Sequence, residues 1–105
     1  MIGYVYDEES LVGELKHTDG IYSFSYYEEF LNSRENQAIS LTLPKQKEPF
    51  VSPYLHPFFA NLLAEGNLKK LQCKKLKIDE DDEFMRLLKT ATDDTIGTVT
   101  IRQML

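Results

Sequence analysis

Pro57-Phe58-Phe59-Ala60-Asn61-Leu62-Leu63-Ala64-Glu65-Gly66 is the stretch on which the reading of this chain turns. Pro57 suits the first position of a helix, where its missing N–H has no intrahelical partner in any case. Phe58, Phe59, Leu62 and Leu63 recur at helical spacing and give that helix an apolar side. Gly66 falls where a residue in the left-handed region closes a helix. The spacing predicts a helix over residues 57–65 that stops at Gly66, with His56 just ahead of it as N-cap. Phe58 and Phe59 span too wide an arc to face one way, so one ring is expected on a sheet and the other on a neighbouring helix. Asn61 and Glu65 stand four apart and project from that helix in similar directions.

Working outward, the residues before this helix read as strands. Ile2, Tyr4 and Tyr6 alternate with Gly3 and Val5, and Leu11, Gly13 and Leu15 alternate with Val12 and Glu14. Tyr22, Phe24 and Tyr26 form the cleanest period-two segment in the chain. Asp19-Gly20 supplies the positive φ angles of a tight hairpin turn between the second and third strands. His17 is placed in that hairpin loop. A single helical turn is expected over 26–31. Ile39, Leu41 and Leu43 then alternate with Ser40 and Thr42 as a fourth strand stopped by Pro44. Residues 45–53 read as a loop anchored by Phe50.

Beyond Gly66, Asn67 is read as the cap of a second helix carrying Leu68, Leu71 and Leu76. A third begins near Asp79 or Asp81 and carries Phe84, Leu87, Leu88 and Ala91 on one stripe. The acidic run from Asp79 to Glu83 favours the positive end of that helix. Residues 98–102, with Val99 and Ile101 inward, return as a fifth strand. Strands, then helices, then a strand predict an α+β domain spanning residues 1–105. Its antiparallel sheet of about five strands carries three short helices packed on one side.

Composition narrows the function classes. Seventeen acidic against twelve basic residues give a net charge of −5, which opposes binding to a phosphate backbone unless the charges are segregated. Lys69, Lys70, Lys74, Lys75 and Lys77 do cluster on one helix, which keeps a nucleic-acid reading open. No apolar run reaches bilayer length and the N-terminus lacks a basic region followed by an apolar stretch, so a cytoplasmic location is expected. The lone Cys73 excludes an internal disulfide, fits a reducing compartment, and reads as a half-buried structural thiol.

Chemistry-bearing motifs are missing from the sequence. It contains no glycine-rich phosphate loop and no catalytic aspartate in a His-Arg-Asp-type setting. His17, His56 and Cys73 lack metal-ligand spacing. The acidic run lacks the glycine and distant glutamate of a calcium loop, and Asp93-Asp94 read as turn residues. No catalytic residue, cofactor, metal or small-molecule substrate is expected, and the chain is read as a non-enzyme.

A resemblance to a known family rests on the order and spacing of several segments. Leu11-Val12-Gly13-Glu14-Leu15 is followed by Phe24-Ser25-Tyr26 and Glu28-Glu29-Phe30-Leu31. Then come Ser40-Leu41-Thr42-Leu43-Pro44, the Phe-Phe-x-Asn-Leu-Leu-x-Glu-Gly segment at 58–66, and Leu87-Leu88 through Asp94, Gly97, Val99 and Ile101. Together they resemble the N-terminal subdomain of HipA-type kinase toxins. Ala64 stands where the family often has proline, and Ala91-Thr92 where it commonly has glycine.

In full-length toxins of this type a larger kinase body follows the subdomain. A free-standing copy resembles HipS, the small subunit of three-component toxin–antitoxin systems, which also contain a HipT kinase and a HipB-like DNA-binding protein. The resemblance implies an antitoxin or accessory subunit that docks on a HipT-like serine/threonine kinase and restrains it. Asn61, Glu65, Gly66 and Asn67, with Leu68 and Lys69 just beyond, are the expected contact edge. Two alternatives stay open: a non-catalytic module of a repressor assembly that meets operator DNA through its lysine-rich helix, and the N-terminal fragment of a longer HipA-type toxin.

Overall fold

A computed structural model describes residues 1–92 and 97–105; the Asp93-Asp94 turn reading lies outside these. Three long strands open the chain: β1 (Ile2–Asp7), β2 (Ser10–Thr18) and β3 (Ile21–Tyr26). Asp19 and Gly20 both take positive φ (53° and 77°) and form the two-residue loop between β2 and β3, as their residue types require. One-turn α1 (Glu28–Asn32) follows, then short β4 (Phe50–Ser52). The helical half holds α2 (Pro57–Ala60), α3 (Gly66–Leu76) and α4 (Glu83–Thr90), and β5 (Val99–Arg102) closes the sheet. The five strands pair antiparallel in the order β4-β3-β2-β1-β5. The α+β architecture is as expected; four helices accompany the sheet, α1 being the single turn expected before residue 32.

Pairing of Gly3 with Leu15, Leu15 with Phe24 and Phe24 with Phe50 puts those residues on one face of the sheet. Val5 and Ile101 join them from β1 and β5. Helices α1, α2 and α4 press onto this face. Phe84, Leu87, Leu88 and Ala91 of the α4 region are buried with Val5, Leu15, Phe24 and Ile101. Phe30 of α1 stacks on Tyr26 at 5.6 Å between ring centroids. The stripe read on the third predicted helix is therefore correct in every member. Asp82, rather than Asp79 or Asp81, caps α4, its side chain accepting from the Met85 N–H at 3.1 Å.

Between Val5 and Tyr6 the β1–β2 register slips, so that Val5 faces Gly13 and Tyr6 faces Leu11. Val12 is the extra residue of a bulge; it is fully buried, and its carbonyl accepts from the Tyr27 N–H at 2.9 Å. Gly13 next to it is required by close approach: a Cβ there would overlap the Ser25 carbonyl oxygen. On the opposite face, Tyr27 donates to Glu14 at 2.8 Å and Lys16 pairs with the same carboxylate at 3.0 Å. Burial alone would raise the Glu14 pKa, but these two partners outweigh it and hold the carboxyl below its ordinary value.

The fourth strand is not where the alternation of Ile39, Leu41 and Leu43 places it. Leu43 is fully buried while Leu41 is wholly exposed, so the two do not share a face. Local side-chain hydrogen bonds explain the difference. Ser40 Oγ accepts from the Thr42 N–H, the Leu43 N–H returns to the Ser40 carbonyl, and the segment curls into a turn. Tyr26 then takes over the freed groups, its hydroxyl accepting from the Ile39 N–H and donating to the Leu43 carbonyl. The edge strand is formed instead by Phe50–Ser52, inside the expected loop, because Phe50 stacks beside Phe24. His17 likewise lies in β2 rather than in the hairpin loop, stacked on Tyr22 at 4.0 Å.

Candidate partner-binding edge

The segment that opened the reading is a helix for only its first turn. His56 caps it as expected, Nδ1 accepting from the Phe58 N–H at 3.1 Å, and Pro57 occupies the first helical position. Phe59 is fully buried against Phe24 of β3 at 5.2 Å, so it is the ring that meets the sheet. Phe58 is half-buried and packs edge-on against Phe59. Past Ala60 the helix tightens, with Leu62 N–H bonding Phe59 O and Leu63 N–H bonding Ala60 O, three residues back rather than four. The helix expected over 57–65 thus ends at Asn61, its C-cap.

Gly66 has the positive φ read for it, 60°, yet it opens α3 instead of closing α2. Glu65 is the N-cap of α3 and makes no side-chain capping bond, so Asn67 is not the cap. Asn61 and Glu65 consequently do not share a helix. They share a cleft. Asn61, Glu65, Gly66 and Lys69 line an open hollow of about 390 Å³ together with Glu83 and Arg86 of α4. Asn67 and Leu68 lie outside it, on the exposed start of α3.

Arg86 escapes sequence reasoning. Helical spacing puts it opposite the stripe of Phe84, Leu87, Leu88 and Ala91, a position that reads as solvent-facing. In the fold the α2–α3 connection crosses that side of α4. Arg86 keeps only 5% of its surface exposed and donates from Nη2 to the Ala64 carbonyl at 2.7 Å. The sole sequence signal is a long cationic side chain set between Met85 and Leu87-Leu88.

The second predicted helix also differs from expectation in its faces. Leu68, Leu71 and Leu76 do not form a core stripe: they are 55%, 64% and 45% exposed, and Cys73 is the buried residue of α3. The thiol is therefore fully rather than half buried. Lys70, Lys74, Lys75 and Lys77 surround the leucines in solvent, with Lys69 half-buried at the cleft. Cleft and helix together present an amide, ammonium and guanidinium donors, two carboxylates and an apolar strip. Among the described residues no three His, Cys, Asp or Glu side chains are grouped to hold a metal ion. Nor is any helix there long and apolar enough to cross a membrane.

The HipA N-terminal domain family matches residues 4–102, from within β1 to the end of β5, and the chain belongs to that family. A Haemophilus influenzae protein is 32% identical over 101 residues, covering 96% of this chain and 91% of its own length. Y4mE of Sinorhizobium fredii, named as a candidate kinase, is 31% identical over 68 residues, which are 65% of this chain and 16% of Y4mE. Among solved structures, the N-terminal domain of HipA toxin superposes with a TM-score of 0.70 at 29% identity, covering 99% of this chain and 94% of that one.

Proposed function

We propose that this chain is a single-domain, non-catalytic antitoxin or accessory subunit that binds and restrains a HipT-like serine/threonine kinase in the cytoplasm, with a HipB-like DNA-binding protein in the same complex. The observation that carries this reading is the exposed strip of Leu68 and Leu71 on α3, one turn apart, in a member of the HipA N-terminal domain family. Completing the burial of two leucines this exposed is worth about 1–2 kcal/mol each. Only an apolar surface collects that energy. Contact with operator DNA through the α3 lysines would satisfy the charges and leave the leucines in water. The Haemophilus influenzae relative, of nearly the same length, and Y4mE, in which the match is a small fraction, supply a free-standing and a fused arrangement for comparison.

The test is a calorimetric titration of the chain against a HipT-type kinase of the same genome, and separately against double-stranded DNA at moderate salt. Saturable binding to the kinase is expected, with a fall in its autophosphorylation. Leu68→Ser with Leu71→Ser should weaken the complex at least tenfold while shifting stability by only about 0.5 kcal/mol per site, since both side chains are exposed. Unchanged affinity in that variant would move the interface elsewhere. Binding to DNA alone would replace this reading with the repressor-module one.

A further inference from the structure

We infer that the cleft between the α2–α3 connection and α4 is a receptor for one carboxylate, brought by an acidic side chain of the partner protein, with Arg86 as its anchor. The inference deepens the reading above, since it names what the partner contributes at the same edge. It starts from an imbalance. Arg86 is nineteen-twentieths buried, and among the described residues its guanidinium donates a single hydrogen bond, to a neutral carbonyl. Among the described residues no carboxylate stands within ion-pair distance of it. The guanidinium N–H groups that Ala64 does not use stay open to the cleft, where a carboxylate would take them through short, charge-assisted bonds.

The surroundings select the kind of anion. Lys69 lines the same cleft and adds a second positive group, and the Asn61 amide offers a neutral donor. Glu65 and Glu83 line it too, so the rim carries two positive and two negative groups. A dianionic phosphate would meet both carboxylates at once. A flat monoanion can reach the guanidinium fork with less repulsion, and its shape matches the fork. Glu65 is exposed and its side chain makes no capping bond, so its charge opposes the incoming anion through solvent, a repulsion that neutralising it relieves.

The experiment needs no kinase, so its outcome is separate from that of the kinase titration. Isotope-labelled protein is titrated with glutamate capped at both ends, and in parallel with capped glutamine, at constant ionic strength. NMR follows the Arg86 Nε–H and the Gly66 amide. Capped glutamate should shift both signals saturably in the millimolar range, and capped glutamine at least tenfold more weakly. Glu65→Gln should tighten capped-glutamate binding severalfold, whereas Arg86→Lys, which keeps the charge but loses the fork, should weaken it at least fivefold. If Arg86→Lys does not fold, the glutamate-to-glutamine contrast on the unaltered protein still decides. Equal responses to the two probes, or shifts that never saturate, would overturn the inference. So would an Arg86 signal that responds to Glu83→Gln and to neither probe, since Glu83 would then be its internal partner in solution.

Discussion

At the scale of single residues, adjacent phenylalanines have unequal duties. Phe59 is fully buried on Phe24 and Phe58 lies half-buried against its edge. Removing the Phe59 ring leaves a cavity in the centre of the core, and Phe59→Ala should cost about 3–5 kcal/mol, a large part of the stability of a domain this size. Phe58→Ala should cost about 1–2 kcal/mol, because that ring packs at the margin of the core and its loss leaves no closed void. Chemical denaturation of the two variants measures the difference. Equal costs would show that the first turn of α2 sits differently on the sheet. The pair illustrates a limit of sequence reading: helical spacing shows that the rings diverge, but only the position of Phe24 says which one is inside.

At the scale of elements, α2 depends on a cap that can be titrated. His56 Nδ1 must keep its lone pair to accept from the Phe58 N–H. Burial holds the imidazole below its ordinary pKa of 6.5, against an interaction with the Thr42 backbone that works in the raising direction. The unfolded chain therefore takes up this proton at higher pH than the folded one. Stability linked to His56 is full above the unfolded value and is lost as pH falls through it towards the lower folded value. Lowering the pH from about 7.5 to about 5.5 should reduce the melting temperature, and His56→Asn, which caps without titrating, should flatten that dependence. An unchanged slope in the Asn variant would assign the pH effect to other groups. The same element is shorter than its apolar spacing predicts. Apolar spacing continues through Leu63, but the backbone tightens after Ala60 and Arg86 takes the Ala64 carbonyl.

At the scale of the whole molecule, charge is divided between α3 and the rest. Five lysines lie on or at the end of α3, in a chain whose net charge is −5. The acidic run that follows serves the fold: Asp79 accepts from the Asp81 N–H and Asp82 caps α4. This leaves the helix as a basic, leucine-bearing ridge beside the cleft, and a recognition role follows more readily than a catalytic one. Calorimetry with Mg-ATP at up to about 1 mM should give no saturable heat, since the sequence supplies neither a phosphate-cradling loop nor the metal-binding acids of phosphoryl transfer. Micromolar binding of the nucleotide would reverse the non-catalytic reading.

What the sequence alone determined is whatever depends on local periodicity or on one residue's backbone preference. The three opening strands, the Asp19-Gly20 turn, the His56-Pro57 helix start and the buried stripe of α4 are all of this kind, and so is the α+β order of elements. Which side of an element another element covers comes from the packing of the folded chain. Periodicity defines the faces of a helix relative to its own axis and carries no information about what lies across from them. Hence Arg86, opposite the apolar stripe, is buried beneath the α2–α3 connection, while Leu68 and Leu71, spaced like core residues, remain in solvent. Hence also the edge strand falls at Phe50–Ser52 and not at Ile39–Leu43: Ser40 and Tyr26 capture the backbone groups a strand would have needed, and Phe24 holds Phe50 in register.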